Sequence, residues 1–355
     1  HGHANPRLVK ALTEQAETLC IVSRAFYTDK LGHFLKLACE LTGQDMALPM
    51  NTGAEAVDTP VKTARPWGYR SKGIAGNEAE IIVCTGNFHG RTTTIISFSD
   101  EKEYQKHFGP LTPGFKVVEY GDAEALEKAI TPNTAAFLVE PIQGEGGIVI
   151  PPRGYLQRCH EICRENNVLL LADEIQTGLG RTGRLLACDH EGVKPDGLIL
   201  GKALGGGIMP VSMFLGRQDV MDIFVPGTHG STFGGNPLAA AVGMEALNII
   251  VEEKLPERSM ELGDYFLSEL AKLDSPLISD LRGSGLFIGI EIDPALGSAR
   301  EVCERLMDRG LLSKETHETV VRLAPPLIVS RAELDWAVEQ IREVLQEMDE
   351  VRLAS

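Results

Sequence analysis

The segment VLLLADEIQTG at residues 168–178 decides the fold class, because an apolar run changes abruptly into polar residues. Residues 168–172 form a continuous apolar run whose length fits a buried strand and is too short for a helix. Continuous rather than alternating apolar runs are typical of parallel sheets that are covered by helices on both faces. The segment therefore predicts an α/β protein, with Asp173 and the residues after it at the carboxyl edge of the sheet.

The same kind of run recurs in the middle of the chain, and stretches with helical periodicity separate the runs. The further runs are residues 81–84, 115–118, 135–139, 197–200 and 211–215. Residues 123–130 and 155–166 have the length and periodicity of helices that connect parallel strands. This alternation predicts a largely parallel sheet with helices on both faces.

Beyond residue 250 the pattern changes to long charged helices with two short strand-like runs. The helical stretches are residues 257–273 and 331–348, and the strand-like runs are residues 286–292 and 320–323. We therefore expect an N-terminal segment (residues 1–43), a large domain (residues 44–250) and a small α+β domain (residues 251–355). The chain begins close to a predicted helix, so we also expect that further residues precede residue 1.

Composition and charge exclude several classes of protein. The chain has 355 residues, of which 43% are hydrophobic and 24% charged, a balance typical of globular proteins. Its net charge of −16 argues against nucleic acid or anionic lipid as a partner. No apolar run approaches the roughly 18 residues of a membrane span, and residues 1–20 do not resemble a signal peptide. We expect a cytoplasmic protein, or a mitochondrial matrix protein if a transit peptide has been removed.

Seven cysteines at irregular spacing do not suggest a disulfide framework. Cys159 and Cys163 are four residues apart on a predicted helix, so their thiols share one face as zinc ligands do. No second pair of ligands follows, and buried cysteine often acts as a small apolar residue. We therefore expect reduced thiols and no metal ion.

Two polar residues directly follow predicted strands and are candidates for chemistry. Asp173 follows residues 168–172, and Lys202 follows residues 197–201, 29 residues further on. Ligands bind at the carboxyl ends of strands in open α/β sheets, so the carboxylate and the amine are expected to face one pocket. Burial lowers the pKa of a lysine and makes its amine a nucleophile that can form a Schiff base. The alternative is a structural ion pair between Asp173 and Lys202.

Three glycine-containing motifs are candidates for a phosphate-binding site. GLGRTG at residues 178–183 matches GxGxxG, but it begins six residues after the strand and no convincing helix follows. GLILGK at residues 197–202 has too few residues between its glycines for a nucleotide loop. NTGAEA at residues 51–56 opens a helical stretch, so its free amide groups can hold one phosphate. The alternative is that Thr52 is an ordinary N-cap.

A nucleophilic lysine, a carboxylate and a cradle for one phosphate are what pyridoxal 5'-phosphate requires. Longer motifs extend this match over the chain. They are SRAFY (23–27), MNTGAEA (50–56), GNFHGRT (86–92), VEPIQGEGG (139–147), LADEIQTGLGRTG (171–183), LGKALGGG (200–207), HGSTFGGNP (229–237) and RLAPPL (322–327). The chain resembles the class III, fold-type I aminotransferases, and within them most closely the members that act on L-ornithine. This resemblance implies a mostly parallel seven-stranded sheet in the large domain and a smaller α+β domain.

The resemblance also implies roles around the cofactor. Lys202 would attach the cofactor and carry the proton between substrate and cofactor, while Asp173 would face the pyridine nitrogen. Phe88 and Ile175 would sandwich the ring, and Gln176 would hydrogen-bond its phenolic oxygen. Taken alone, Phe88 and Ile175 are better explained as residues of the hydrophobic core.

The phosphate would be held by the resembling residues of two subunits. Gly53 and Ala54 would donate their amides, and Thr232 would reach the phosphate of the neighbouring subunit. The resemblance therefore implies a homodimer with shared active sites. The alternative for residues 229–236 is a turn-rich loop without a role in binding.

For the substrate, the resemblance assigns Tyr27 and Arg91 to the α-amino acid end of ornithine. Arg322 would pair with Glu145 while ornithine is bound and then bind the α-carboxylate of 2-oxoglutarate, as a planar guanidinium can. The alternative is a permanent ion pair. His89 departs from the pattern, because animal members that act on ornithine have tryptophan there.

The implied reaction converts L-ornithine and 2-oxoglutarate into L-glutamate 5-semialdehyde and L-glutamate by a ping-pong mechanism. Acetylornithine and 4-aminobutyrate are alternative substrates on the same scaffold, although Tyr27 favours an amino acid with a free α-amino group. A non-catalytic protein that binds the cofactor is the remaining alternative.

Overall fold

Seven strands form the central sheet of the computed structural model, which describes residues 1–354. They are β1 (Met46–Met50), β2 (Glu80–Cys84), β3 (Phe115–Val118), β4 (Thr134–Val139), β5 (Leu169–Asp173), β6 (Gly197–Leu200) and β7 (Ser212–Gly216). Their order is β1-β7-β6-β5-β4-β2-β3. β7 runs antiparallel to both of its neighbours, and the other four neighbouring pairs are parallel. The predicted α/β fold with a mostly parallel seven-stranded sheet is confirmed.

The residues of β5 show why its sequence is apolar throughout. Leu170 and Ala172 belong to the core on one face of the sheet, whereas Leu169 and Leu171 belong to the core on the other face. Both faces are therefore buried, as a continuous apolar run predicts. The run at residues 211–215 is shifted by only one residue in β7.

Helices cover both faces of this sheet. They are α1 (Pro6–Ala16), α2 (Leu31–Thr42), α3 (Gly53–Trp67), α4 (Thr93–Ile96), α5 (Lys102–Gln105), α6 (Ala123–Ala129), α7 (Tyr155–Glu165), α8 (Gln218–Met221) and α9 (Pro237–Glu252). α3 packs on one face, and α7 and α9 pack on the other. α1 and α2 pack against α9. Within residues 1–354, no helix is long and apolar enough to cross a bilayer.

The C-terminal part has its own antiparallel sheet. Its strands are β8 (Ile278–Ser284), β9 (Phe287–Ile292), β10 (Lys314–Thr316) and β11 (Val320–Leu323), in the order β10-β11-β9-β8. The helices α10 (Leu255–Leu270), α11 (Ala299–Asp308) and α12 (Arg331–Ala354) accompany this sheet. Because the two sheets share no strand, we propose residues 44–250 and 251–355 as the large and the small domain.

One loop of the large domain, which contains Arg181, contacts the C-terminal part. Arg181 donates through Nη1 to the carbonyl oxygens of Leu286 (2.8 Å) and Pro325 (2.7 Å). The hydroxyl of Ser259 donates to the carbonyl oxygen of Arg181 at 3.0 Å. The segment at residues 178–183 therefore docks onto the C-terminal part. It consists of turns, and no helix follows it directly, so it is not a dinucleotide-binding turn.

Candidate active site

Asp173 and Lys202 lie at the carboxyl edge of the large sheet, on neighbouring strands. Asp173 is the last residue of β5, and Lys202 follows β6 after one glycine. β5 and β6 run parallel, with Asp173 opposite Ile199. Lys202 has a positive φ of 43°, which turns the chain as the strand ends. Topology alone therefore brings a carboxylate and an amine to the same edge.

Asp173 is not paired with Lys202. Its Oδ2 lies 2.7 Å from Nδ1 of His89, and its Oδ1 accepts the amide N–H of Ile175 at 3.1 Å. The side chains of His89 and Asp173 are only 1% and 4% exposed. The predicted alternative, an ion pair between Asp173 and Lys202, is therefore wrong for the residues that the structure describes.

The amine of Lys202 faces a cavity of about 520 Å³ and has no hydrogen-bond or ion-pair partner among residues 1–354. Burial and the charge of Arg322 lower the pKa of Lys202, while the carboxylates of Asp173, Glu145 and Glu140 oppose this shift. A lowered pKa increases the fraction of neutral amine, which is the nucleophilic form.

The N-terminus of α3 offers free amide groups beside this cavity. The hydroxyl of Thr52 accepts the N–H of Glu55 at 3.3 Å, so Thr52 is an N-cap. Gly53 and Ala54, the first two helical residues, have no acceptor within the helix. The N-cap therefore leaves two N–H groups and the positive end of the helix dipole for an anion.

Glycine permits a close contact between this helix and the strand ends. A Cβ on Gly53 would lie 3.1 Å from Cδ1 of Ile175, and a Cβ on Gly201 would lie 3.3 Å from Cγ2 of the same residue. Ile175 thus lies between the start of α3 and the end of β6. It is half-buried, so it is not simply a residue of the core.

Gln176 lines the cavity that Lys202 faces, whereas Phe88 lines a separate cavity together with Glu145. Nε2 of Gln176 donates to Oε1 of Glu145 at 3.4 Å, and its buried Oε1 has no partner among the described residues. Phe88 is half-buried, and its amide donates to Oε1 of Glu140 at 2.9 Å. An unsatisfied buried oxygen beside a cavity is a position for a ligand donor.

An ion pair between the C-terminal sheet and the segment after β4 also lines the cavity. Nη1 of Arg322 in β11 donates to Oε1 of Glu145 at 2.5 Å, and Nζ of Lys314 lies 3.5 Å from Oε2. Burial alone would raise the pKa of Glu145, but the hydrogen bond and charge of Arg322, together with Lys314 and Gln176, lower it to about 2. The pair predicted between Arg322 and Glu145 is present in the structure.

Seven predicted residues do not line this cavity in a single chain: Gly53, Ala54, Phe88 and Asp173, which are described above, and Arg91, Tyr27 and Thr232. Arg91 is exposed, with its guanidinium 3.6 Å from the ring centroid of Tyr104 and 5.4 Å from that of Phe88. Tyr27 is fully exposed and shares a separate cavity of about 280 Å³ with Thr232. The chain by itself therefore does not bring Tyr27 and Thr232 to Lys202, and their roles remain predictions.

Sequence reasoning missed Glu140, which follows the apolar run at residues 135–139. Glu140 is buried and accepts the amides of Phe88 (2.9 Å) and Gly144 (3.4 Å). Burial raises the pKa of Glu140 to about 7, although His89 opposes the shift. The same rule that selected Asp173, a polar residue directly after a strand, identifies Glu140 as well.

The cysteine pair on α7 is part of the core. Cys159 and Cys163 are both buried, and burial raises the pKa of Cys159 to about 12. Protonated thiols do not bind metal ions well, because the thiolate is the ligand. This favours the prediction of structural thiols.

The comparison with known proteins agrees with this geometry. The family described as Aminotransferase class-III matches residues 1–345. An ornithine aminotransferase of Bacillus subtilis is 58% identical over 345 residues, which are 97% of this chain and 85% of that protein.

Two solved structures are similar over most of their length. The ornithine aminotransferase from Toxoplasma gondii, crystallised with oxidised glutathione and described as having partial occupancy of PLP at its active site, aligns with a TM-score of 0.97 at 47% identity. The alignment covers 99% of this chain and 83% of that one. An acetylornithine aminotransferase from Elizabethkingia anophelis aligns with a TM-score of 0.87 at 47% identity, covering 98% and 86%.

The pKa of Glu145 provides a test of the ion pair. Since its pKa in the folded chain is about 2, against an ordinary value of 4.5, the pair stabilises the fold above pH 4.5 and loses this effect as the pH falls towards 2. In Arg322→Gln, the main hydrogen bond and charge that lower this pKa are lost, so we expect the Glu145 carboxyl to titrate at higher pH than in wild type. Carbon-13 NMR of labelled glutamate carboxyls measures this, with Arg300→Gln on the surface as the control. Unchanged Glu145 titration in Arg322→Gln would contradict the assignment.

Proposed function

This chain belongs to the class III aminotransferases, and from that premise we propose that it is an ornithine transaminase that uses pyridoxal 5'-phosphate. It would transfer the δ-amino group of L-ornithine to 2-oxoglutarate and form L-glutamate 5-semialdehyde and L-glutamate in a ping-pong cycle. The single observation that carries this proposal is the unpaired amine of Lys202 beside the buried carboxylate of Asp173. The relative named ornithine aminotransferase at 58% identity supports the substrate.

The cavity fits this cofactor in size and in chemistry. Its volume of about 520 Å³ lies in the ordinary range for small-molecule sites. The free amides of Gly53 and Ala54 would bind the phosphate, and Gln176 would bind the phenolic oxygen. When bound, pyridoxal 5'-phosphate supplies an aldehyde that reacts with amines and a ring that accepts electrons from the substrate carbon. Asp173 would hold the proton on the ring nitrogen.

Lys202 has two tasks in this proposal. Its neutral amine would attach the cofactor, and after substrate has displaced it, Nζ would take the proton from the substrate carbon and pass it to the cofactor. Both tasks need an amine that is not bound in an ion pair. The hydrogen bonds of Asp173 to His89 and Ile175 meet this requirement, because they occupy the carboxylate without using Lys202.

The pair of Glu145 and Arg322 would allow one cavity to accept two different substrates. With ornithine bound, Arg322 would stay paired with Glu145. With 2-oxoglutarate bound, Arg322 would instead bind the α-carboxylate of that substrate. Glu145 then still has Lys314 at 3.5 Å and Gln176 at 3.4 Å. These contacts reduce the cost of leaving a buried carboxylate without its arginine.

A homodimer would complete the site. Tyr27 and Thr232 share a cavity on the surface of the chain, where Phe26, Tyr27 and Phe233 are all exposed. Large exposed apolar side chains mark surfaces that bind other proteins. We propose that a second copy covers this surface, so that Thr232 reaches the phosphate in the partner's site and Tyr27 takes its place beside the α-amino group.

Lys202→Ala tests the central assignment. We expect turnover to fall by at least about a thousandfold, since both the nucleophile and the proton carrier are lost. The measurement is an absorbance titration of the loaded protein with ornithine, followed by 2-oxoglutarate. Lys128→Ala, an exposed lysine on α6, is the matched control and should behave as wild type. Turnover in Lys202→Ala near the wild-type rate would exclude the mechanism.

The substrate is tested by the rate of the first half-reaction. Stopped-flow absorbance with ornithine, N-acetylornithine and 4-aminobutyrate compares the three amines on the same protein. We expect ornithine to react fastest, because Tyr27 suits a free α-amino group. A higher rate with either of the other amines would replace this substrate, and a protein that shows no spectral change with any of them would be a cofactor-binding protein without this activity.

Arg322→Lys separates a switching arginine from a permanent ion pair. Lysine keeps the charge but loses the planar, bidentate contact. If Arg322 binds 2-oxoglutarate, the second half-reaction should slow by about 10–100-fold, the value of one charge-assisted hydrogen bond, while the ornithine half-reaction changes by less than about threefold. Arg300→Lys on the surface of α11 is the control. Equal slowing of both half-reactions would indicate the permanent pair.

A further inference from the structure

His89 makes one polar contact, and that contact is with Asp173. Its Nδ1 lies 2.7 Å from Oδ2, and both side chains are buried. Nε2 of His89 is also buried and has no partner among residues 1–354. The ring packs against Phe98, with 5.9 Å between the centroids. The hydrogen bond to Asp173 is therefore the one polar contact of this buried ring among the described residues.

This arrangement destabilises the folded chain unless the contact with Asp173 compensates for the unpaired nitrogen. A buried ring nitrogen without a partner destabilises the fold, and phenylalanine would fill the same space against Phe98 without that cost. The compensating gain is the charge-assisted hydrogen bond to Oδ2. The chain thus has a histidine at this position although its buried Nε2 lacks a partner within the described part of the chain. This points to a role in which His89 acts on Asp173.

The carboxylate of Asp173 accepts hydrogen bonds from two nitrogen donors. His89 donates to Oδ2, and the amide of Ile175 donates to Oδ1 at 3.1 Å. With one donor on each oxygen, the carboxylate is held in one orientation. Neither donor is Lys202, so fixing the carboxylate does not consume the amine.

A second buried carboxylate, that of Glu140, binds the main chain of Phe88, the residue before His89. Glu140 accepts the amide of Phe88 at 2.9 Å and does not hydrogen-bond to the His89 ring. Asp173 and Glu140 are the titratable groups that act on His89: burial opposes its protonation, but the hydrogen bond and charge of Asp173 and the charge of Glu140 raise its pKa. The main chain of Phe88 and the ring of His89 are therefore each held by a buried carboxylate.

We propose that His89 is a positioning residue. By donating Nδ1–H to Oδ2, it keeps the Asp173 carboxylate aimed at the ring nitrogen of the cofactor, so that this nitrogen retains its proton. The inference rests on the proposed function for the identity of the cofactor. The contact between His89 and Asp173 itself belongs to the chain and is testable without any cofactor.

Two substitutions separate the hydrogen bond from the shape of the ring. His89→Phe keeps a ring but has no donor, whereas His89→Asn places an amide N–H close to the position of Nδ1. In the loaded protein we expect His89→Phe to lower kcat by about 10–100-fold, the value of one hydrogen bond to a charged group, with KM changed by less than about threefold. His89→Asn should retain at least about ten times more of the rate than His89→Phe.

The pH dependence of the cofactor absorbance supplies a spectroscopic readout. Loss of a donor to Asp173 should shift the titration of the visible band in His89→Phe, and His89→Asn should lie closer to wild type. A rate and a titration in His89→Phe equal to those of wild type would overturn the proposal. Equal losses in the two variants would also overturn it, because the donor would then not be the cause.

The cofactor-free protein provides an independent measurement. Nitrogen-15 NMR of the histidine rings reports the protonation of Nδ1, and the His89 signals are those absent from His89→Asn. We expect the pKa of His89 to be lower in Asp173→Asn than in wild type, because the anionic partner is gone. The same His89 titration in both proteins would overturn the proposal.

These experiments distinguish this inference from the proposed function. Wild-type protein without transaminase activity would defeat the proposed function, yet the NMR comparison would still test the contact between His89 and Asp173. An active wild type with an unaffected His89→Phe would defeat only this inference. Circular dichroism of each variant checks folding, and if His89→Phe does not fold, His89→Asn and the NMR comparison decide.

Discussion

The site depends on a buried carboxylate that is satisfied without the nearby amine. Asp173 receives one hydrogen bond from His89 and one from the main chain of Ile175. Had Lys202 been its partner, the amine would be protonated and held in place. As the structure stands, burial and Arg322 lower the pKa of Lys202, and no partner holds it. The same arrangement thus provides a fixed anion and a reactive amine at the ends of neighbouring strands.

The fold supplies this arrangement through the order of its strands. β5 and β6 are parallel neighbours, so both chemical groups leave the sheet at the same edge. The N-terminus of α3 reaches this edge because glycine at positions 53 and 201 permits close contact with Ile175. On the far wall, Arg322 comes from the C-terminal sheet and binds Glu145 of the large domain. The cavity is therefore formed by both parts of the chain.

The sequence predicted most of the sheet because its central strands are buried on both faces and are continuous apolar runs. It did not predict β1, in which Pro49 interrupts the pattern at the edge of the sheet. In the C-terminal sheet it did not predict β8 or the three-residue β10. Asp173 and Lys202 were found from their positions after strands. The contact of His89 with Asp173 joins residues 84 apart in sequence, and no local pattern encodes it. Tyr27 and Thr232 could not be placed in the site from one chain, because their predicted roles depend on a second copy.

The most direct test of the account is to locate the attachment of the cofactor. The loaded protein is reduced with borohydride, digested, and analysed by mass spectrometry for peptides that carry the added mass of the cofactor. The account predicts that the mass lies on the peptide containing Lys202, and that Lys202→Ala carries none. Attachment at another lysine, or a loaded protein with no covalent label after reduction, would contradict it.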